Sequence, residues 1–287
     1  MKIGELHQYA HDKTTIFYTN VVEGLKNTFP NDEIIHIESY NDLVNSNIEV
    51  LFVINDHHNS GIYTDQAFIN HLNEKNIKVI LFNYEKIFNS FFHWNMDIQK
   101  KIETIKNRLQ LVADVNDAEL LNTIPCKQFL SKSTDLSAAP IPWEQKQDKI
   151  LFLGCIYNEQ YQARLNKVNA LAQNKNLKYP VETVVTNNKL SYSDFISKLN
   201  SYKYIFNPFG TGTFVNIRHY EARRLGCIVI QEVTDKLMKY YPELQQTCLT
   251  FRHVDEVPDL LNTPFINTPE ISIEDYFEKI NLKSYIV

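Results

Sequence analysis

Glycine, cysteine and long apolar runs are all scarce in this chain of 287 residues. It has 7 Gly and 4 Cys, and none of the cysteines forms a Cys-x-x-Cys pair. The lack of paired cysteines and of suitably spaced histidines argues against a zinc site or a disulfide scaffold. No apolar run approaches the ~18 residues of a membrane span, and the N-terminal MKIGELHQYAHDK lacks the apolar core of a secretory signal. We therefore expect a cytoplasmic protein without a transmembrane segment.

Charge and length set two further bounds. The chain carries 29 Lys and Arg against 34 Asp and Glu, a net charge of −5, so it has no bulk electrostatic attraction to nucleic acid. One predicted helix could still carry a local basic patch, at Arg218, His219, Arg223 and Arg224. With 44% hydrophobic residues, the chain is long enough for one large domain or two ordinary ones.

The first half alternates buried strands with helical periodicity, which is typical of parallel α/β architecture. Strands are predicted at KIGEL, EIIHI, EVLFVIN, KVILFN and RLQLVA. Helices are predicted over 14–28, 64–75 and 95–107. We expect a first domain over residues 1–130 and a polar, proline-containing linker over 131–148.

The second half, residues 149–287, restarts the same alternation and is expected to form a second domain with a C-terminal helix. Strands are predicted at DKILFLG, VETVV, KYIF, CIVI and CLTF. One helix is indicated by apolar residues at Tyr161, Leu165, Val168 and Leu171. The segment SYSDFISKLNSY is a second helix, in which Ser191 and Asp194 form a candidate capping box. A short helix is expected near 256–262, and the tail SIEDYFEKINL is also helical in pattern.

The segment FNPFGTGTFVNIRHYEARRLGCIVI is the most informative part of the chain. A buried strand runs into a Pro/Gly/Thr loop, and a helix follows that stops at Gly226. Free N–H groups in the first helical turn favour an anion. Arg218 and Glu221 share one helix face, where the cation suits a diphosphate and the carboxylate suits ribose hydroxyls. The loop that would cradle the phosphates, or alternatively form a plain turn, consists of Gly210, Thr211, Gly212 and Thr213.

This segment resembles the donor-sugar half of glycosyltransferases with the GT-B fold. It is most similar to the spore-maturation type of glycosyltransferase and to the phage DNA beta-glucosyltransferases. The resemblance implies two Rossmann-like parallel-sheet domains facing a cleft, with Glu221 on the ribose and Arg218 on the diphosphate. It also implies that the C-terminal tail crosses back onto the first domain. Thr213 stands where the common retaining enzymes have a second glutamate for the donor sugar, so the resemblance does not carry over their retaining mechanism.

The loop after the first strand of the second domain, GCIYNEQYQAR, extends the resemblance. The family has a glycine after this strand and an arginine several residues on that contacts the diphosphate, which Gly154 and Arg164 match. Phage DNA glucosyltransferases have a further arginine earlier in the loop, where this chain has Asn158 and Glu159. The alternative for Arg164 is a solvated helix residue, and for Glu221 a surface ion pair with a neighbouring arginine.

The first domain should supply the acceptor site and a catalytic base, since an inverting transfer needs a group that takes the acceptor proton. The phage DNA glucosyltransferases place a catalytic Asp after the strand that matches KVILFN. Tyr84 aligns with that Asp, and the nearest carboxylate is Glu85, which we select. Asp12 and His11, after the first strand, are rivals. The Asp56-His57-His58-Asn59 loop lacks the further ligands of a metal phosphoesterase, and the aromatic run at 91–94 could stack on a sugar or pack in the core.

The sequence thus predicts a metal-independent glycosyltransferase that takes a nucleotide-sugar, with a UDP-sugar as its co-substrate and no other cofactor. The acceptor is left open between a glycan, a lipid-linked sugar, a protein and a hydroxymethylated base in DNA. A non-catalytic nucleotide-sugar-binding module is the rival from another class. A Rossmann oxidoreductase is disfavoured because no Gly-x-Gly-x-x-Gly follows a strand.

Overall fold

A computed structural model describes residues 1–6, 15–55, 65–83, 96–125, 129–156, 162–186, 190–210, 212–265 and 272–286. The chain divides into two units, Met1–Thr134 together with Ile271–Val287, and Asp135–Glu270. The division falls inside the segment predicted as a linker. The C-terminal segment belongs to the first unit. The predicted range 149–287 counted it with the second domain, while the resemblance implied a tail that crosses back onto the first.

In the described part of the first unit, six strands form one parallel sheet in the order β2-β1-β3-β4-β5-β6. The strands are β1 (Lys2–Leu6), β2 (Glu33–His36), β3 (Val50–Asn55), β4 (Lys78–Asn83), β5 (Arg108–Val112) and β6 (Ile124–Pro125). The central β3 and β4 are almost wholly buried, since helices cover both faces of such a sheet. All five predicted strands of the first half are confirmed.

The described helices of the first unit include the three predicted ones and two that were not predicted. They are α1 (Thr15–Thr28), α2 (Tyr40–Ser46), α3 (Gln66–Glu74), α4 (Met96–Glu103) and α5 (Val115–Leu120). Helices α2 and α5 are too short to show a helical period, but each begins at a side-chain cap. Ser39 accepts a hydrogen bond from the amide of Asp42, and Asp114 accepts one from the amide of Asn116.

The second unit also has a parallel sheet, formed in its described residues by five strands in the order β11-β10-β9-β7-β8. The strands are β7 (Gln147–Gly154), β8 (Val181–Val185), β9 (Tyr202–Asn207), β10 (Ile228–Glu232) and β11 (Leu249–Phe251). The helices are α6 (Gln162–Ala172), α7 (Tyr192–Asn200), α8 (Ile217–Arg224), α9 (Asp235–Tyr240), α10 (Leu244–Thr247) and α11 (Val257–Leu260). The strands predicted for this half are confirmed.

The second part of the predicted linker is fastened within the second unit by the buried side chain of Asn200. Its amide group donates to the Ala139 carbonyl at 2.8 Å, and its Oδ1 accepts from the Ile141 amide at 3.1 Å. The buried Lys146 ammonium donates to the Asn200 carbonyl at 2.5 Å. Residues 139–146 are therefore packed against this unit and do not behave as a free polar connection.

Two C-terminal helices, α12 (Ile273–Lys279) and α13 (Leu282–Ile286), pack on the first unit. Phe277 is buried there against Phe52 and Phe82, with ring centroids 6.4 and 6.2 Å apart. A full capping box at Ser272 and Asp275 starts α12. No helix within the described ranges is long and apolar enough to cross a membrane.

Candidate functional site

The candidate site lies at the carboxyl edge of the second sheet, where open parallel sheets bind their ligands. Three neighbouring strands, β7, β9 and β10, end there at Gly154, Asn207 and Glu232. The loops after β7 and β9 lead into α6 and α8, which carry the predicted arginines. The predicted donor residues that the structure describes at this edge are Gly154, Arg164, Gly210, Gly212, Thr213, Arg218 and Glu221.

Arg218 lies in the first turn of α8 and reaches across the ends of two strands. Its Nη1 donates to Asn207 Oδ1 at 3.4 Å, at the end of β9. A methyl group on Gly154 would lie 3.0 Å from Nη2 of the same guanidinium. The glycine at the end of β7 therefore leaves room for the arginine, and the structure brings these two predicted diphosphate residues together.

Arg164, near the start of α6, is buried with only 7% of its surface exposed. Its Nε donates to the Phe209 carbonyl at 3.3 Å, and its Nη1 donates to the Cys155 carbonyl at 3.2 Å. The side chain ties the loop after β7 to the loop after β9. The alternative of a solvated helix residue is therefore wrong.

Glu232, at the end of β10, is a site residue that the sequence reasoning missed. It is buried, and its two oxygens accept from the Lys167 ammonium at 2.6 Å and from the Phe209 amide at 2.7 Å. Since Phe209 also accepts from Arg164, one carboxylate fixes the loop that follows β9. The sequence signal that could have identified it is a charged residue at the end of the apolar run CIVIQE.

A buried polar network underlies the arginine. Gln231 Oε1 accepts from Asn207 Nδ2 at 2.6 Å and lies 3.1 Å from His219 Nδ1. Because that oxygen can only accept, His219 must carry a proton on Nδ1. Asn207 Oδ1 also accepts from Asn216 at 3.1 Å, so the side chain that Arg218 contacts is held from two sides.

Glu221 is the most deeply buried ionisable group predicted for the site, with 1% of its surface exposed. Its Oε1 accepts from the Tyr192 hydroxyl at 3.0 Å, and its Oε2 has no hydrogen-bond partner among the described residues. Burial raises the pKa of Glu221 to about 7, while the Tyr192 hydroxyl and the Arg218 charge act in the opposite direction. The alternative of a surface ion pair is therefore wrong.

The residues on either side of helix α8 are Asn216 at its start and Gly226 just after its end. Asn216 precedes it without a side-chain cap: its Nδ2 donates to Asn207 Oδ1 at 3.1 Å, and its own Oδ1 accepts no hydrogen bond among the described residues. Gly226 follows the helix with a φ of 76°, a left-handed conformation that glycine adopts without a steric cost. The adjacent amide of Cys227 then bonds back to the Ala222 carbonyl at 2.9 Å, and β10 starts at once.

Comparison with solved structures identifies the architecture. An alpha-glucosyltransferase in complex with UDP and a 13-mer DNA containing a HMU base is 7% identical, with a TM-score of 0.56 over 100% of this chain and 99% of that one. An alpha-glucosyltransferase in complex with UDP-glucose and DNA containing an abasic site is 9% identical, with a TM-score of 0.54 over 99% and 91%. An alpha-glucosyltransferase in complex with UDP and a 13-mer DNA containing a central A:G mismatch is 7% identical, with a TM-score of 0.53 over 98% and 99%. The chain has the GT-B fold.

No protein-family model matches the chain, and neither does the sequence of any curated protein. The GT-B assignment therefore depends on the two parallel sheets with their flanking helices and on the structural neighbours, and the predicted fold class is confirmed at that level.

Several predictions for this GT-B chain concern residues outside the described ranges. These are the catalytic-base candidates His11, Asp12 and Glu85, the loop residue Thr211, the Asp56-His57-His58 triplet and the aromatic run at 91–94. Within the described ranges, no three His, Cys, Asp or Glu side chains are grouped as metal ligands.

The geometry at the second sheet of this GT-B chain combines two kinds of recognition. Arg218 and the start of α8 present positive charge and backbone donors, which suit phosphate oxygens. Glu221 presents a buried acceptor, which suits hydroxyl groups. A ligand with an anionic group next to a diol would satisfy both.

Proposed function

We propose that the chain is a glycosyltransferase that binds a nucleoside diphosphate sugar, with UDP as the nucleotide, at the carboxyl edge of the second sheet. The observation that carries the proposal is the Glu221 carboxylate, buried beside Arg218 with one oxygen lacking a partner among the described residues. An unpartnered buried acceptor is unfavourable, and a ribose hydroxyl would satisfy it.

The donor residues divide by the part of the nucleotide they would hold. Arg218 and the amides that begin α8 would bind the diphosphate, and Arg164 would contact it while holding the two loops together. Positive charge fixed at this position stabilises the nucleoside diphosphate as it leaves the sugar. Glu221 would accept from the ribose.

The catalytic base stays a separate proposal. We infer that Glu85 takes the proton from the acceptor hydroxyl, with Asp12 and His11 as rivals. In that case Glu85→Gln should leave the affinity for UDP unchanged and lower the transfer rate by about 10²–10⁴-fold. If transfer is normal in Glu85→Gln but lost in Asp12→Asn or His11→Gln, the base belongs to the loop after β1.

The donor site is tested by calorimetric titration with UDP, GDP, ADP and CMP, followed by 2′,3′-dideoxy-UDP. We expect UDP to bind selectively and the dideoxy analogue to bind about tenfold or more weakly, since a hydrogen bond to a charged group is lost. Glu221→Gln should remove most of that preference. If the wild-type protein binds none of the four nucleotides, the glycosyltransferase proposal is wrong.

A second acceptor hypothesis is favoured by one of the structural neighbours, which was solved with UDP and DNA containing a HMU base. If this chain also acts on hydroxymethylated bases in DNA, it must draw the base out of the stack. Affinity for HMU-containing duplex should then fall steeply between 50 and 200 mM salt. Absence of binding to that duplex at low salt would direct the search to glycan, lipid-linked or protein acceptors.

The rival of a non-catalytic binding module has a distinct signature. Such a protein would bind UDP and a UDP-sugar with the ribose preference described above. It would show neither hydrolysis of the donor nor transfer to any acceptor, and Glu85→Gln would then be without effect.

A further inference from the structure

Tyr192 is a residue that neither the sequence motifs nor the proposed donor contacts include. It is the first residue of α7, directly after the N-cap Ser191, whose Oγ accepts from the Asp194 amide at 3.1 Å. The ring stacks against Phe195, with centroids 6.5 Å apart and planes at 15°, and 37% of Tyr192 remains exposed. Its hydroxyl nevertheless reaches a carboxylate that is almost fully buried.

The contact with Tyr192 gives the two oxygens of Glu221 different hydrogen bonding. Oε1 accepts from the Tyr192 hydroxyl at 3.0 Å, whereas Oε2 is buried without a partner in the described part of the chain. A carboxylate has about four acceptor positions, so Oε1 can keep the tyrosine while the group receives ligand hydroxyls as well. The phenol also restricts the side-chain torsions of Glu221, because it is the one hydrogen-bond partner that the carboxylate has among the described residues.

We propose that Tyr192 is a positioning residue for the nucleotide, holding the Glu221 carboxylate in the orientation in which it accepts the ribose hydroxyls. The inference rests on the proposed function, because it assigns a ribose to Glu221. Tyr192 acts through the carboxylate and is not assigned a contact with the ligand.

Electrostatics at this contact have a definite direction. Burial raises the pKa of Tyr192, and so does the neighbouring Glu221, so its hydroxyl remains a donor throughout the working range of pH. The bond from Tyr192 and the charge of Arg218 both favour ionised Glu221 against the effect of burial. Arg224 and Asp135 are the other charged groups that act on Tyr192, with opposite signs. Loss of the hydroxyl should therefore leave Glu221 protonated up to a higher pH.

The test compares Tyr192→Phe with the wild type, using UDP and 2′,3′-dideoxy-UDP as probes between pH 6 and pH 9. We expect the variant to bind UDP about tenfold more weakly near pH 7, with a smaller loss at pH 9, where both proteins have an ionised carboxylate. Taking the ratio of variant to wild-type affinity at each pH cancels the titration of UDP itself. Affinity for the dideoxy analogue should change by less than about twofold, because the analogue makes no use of the carboxylate.

A matched control removes a phenol hydroxyl at the amino end of a strand of the same sheet, away from the carboxyl ends where the candidate site lies. Tyr179 precedes β8 and its ring stacks on Tyr204 at 4.7 Å, so Tyr179→Phe should leave the affinity for both probes and the pH profile unchanged. Circular dichroism and thermal unfolding of both variants establish that they are folded.

The outcomes separate this inference from the proposed function. If wild type binds UDP and Tyr192→Phe binds UDP equally or more tightly with the same pH profile, the positioning role is wrong and the donor site stands. Equal losses for UDP and the dideoxy analogue would likewise overturn it, since the tyrosine would then act by stacking or by stabilising the fold. If wild type prefers another nucleoside diphosphate, the same pair of probes is made from that nucleotide. If it binds none, the proposed function and the positioning role are both wrong.

Discussion

Glu221 shows at the scale of one residue how the surroundings of a side chain decide its chemistry. The sequence places it three residues after Arg218 on an eight-residue helix, a spacing that surface ion pairs also use. In the fold it is buried, and its main partner is a tyrosine from another helix. Burial raises its pKa to about 7, so the group is poised to change charge near neutral pH.

This shift makes a prediction about stability. The pKa of Glu221 is about 7 in the folded chain against 4.5 for the free side chain, so the folded state binds the proton more tightly. The associated stabilisation is complete below pH 4.5 and is lost as the pH rises through 7. At ~1.4 kcal/mol per pKa unit, the loss is roughly 3 kcal/mol of unfolding free energy.

Urea unfolding of wild type and Glu221→Gln at several values between pH 4.5 and pH 8 measures this effect. The variant lacks the titration, so its stability relative to wild type should improve as the pH rises. Glu182→Gln is the matched control, because two lysines hold the pKa of Glu182 at about 2 and it does not titrate in this range. Parallel pH profiles for wild type and Glu221→Gln would contradict the prediction.

Gly154 supports a second prediction at the residue scale. A methyl group there would lie 3.0 and 3.3 Å from the two terminal nitrogens of Arg218 and 3.3 Å from Phe152 Cζ, so Gly154→Ala should displace mainly the guanidinium and leave the sheet intact. We expect UDP to bind several-fold more weakly with little change in stability, since the clash is with the end of a flexible side chain.

Gly4→Ala in β1 provides the contrast. Its methyl group would lie 2.5 Å from Ile48 Cδ1 inside the first core, and overpacking of this kind costs about 1–3 kcal/mol. It should lower stability without changing the affinity for UDP. An unchanged UDP affinity in Gly154→Ala would show that the position of Arg218 does not matter for the diphosphate.

At the scale of secondary-structure elements, the site is assembled by contacts between strand ends and the loops that follow them. Glu232 ends β10, yet it accepts from the amide of Phe209 in the loop after β9 and from Lys167 on α6. Arg164 on α6 reaches the same loop through the Phe209 carbonyl. Two elements that are distant in the sequence, α6 and β10, therefore hold one loop in place.

Glu232→Gln should loosen this loop. The substitution weakens two charge-assisted hydrogen bonds of a buried group, so we expect a loss of about 1.5–3 kcal/mol of unfolding free energy. Hydrogen exchange at the Phe209 amide should accelerate, and UDP should bind more weakly. Glu182→Gln again serves as control, because Glu182 is bridged by two lysines without contacting the loop. Unchanged exchange at Phe209 would mean that the loop is held by other contacts.

At the scale of the whole molecule, each unit has its own sheet and its own apolar core. The first unit is built from both ends of the chain, because α12 and α13 return to it and bury Phe277 against Phe52 and Phe82. In the second unit the core contains a stacked pair, Phe206 and Phe251, with ring centroids 5.2 Å apart. Multi-unit proteins of this kind often unfold in more than one step.

Phe277→Ala should therefore lower the stability of the first unit by about 3–5 kcal/mol, the usual effect of emptying a buried phenylalanine site. UDP should stabilise the transition that belongs to the second unit, since ligands stabilise the unit that binds them. Scanning calorimetry with and without UDP resolves the two effects. Phe251→Ala is the corresponding variant in the core of the second unit. If Phe277→Ala lowers the transition that UDP raises, the two units do not unfold independently.

Much of this architecture could be predicted from local patterns. The strand runs KIGEL, EVLFVIN and KVILFN are apolar enough to be buried on both faces, and they lie where they were predicted. Helices α2 and α5 were missed because six or seven residues do not show a period. Glu232 and Tyr192 were missed because their partners, Phe209 and Glu221, are 23 and 29 positions away.

The sequence by itself determined the positions of the strands and of the longer helices, the stop of α8 at Gly226, and the set of residue types suited to a nucleotide at the end of a buried strand. These are local properties, since they depend on hydrophobic period, on φ and on spacing along one helix. Only the tertiary structure decided that Glu221 is buried with an oxygen that has no partner among the described residues, that Gly154 makes room for Arg218, and that Glu232 holds the loop after β9. Burial and long-range hydrogen bonds depend on which surfaces meet, because desolvation and contact arise only when distant segments pack together.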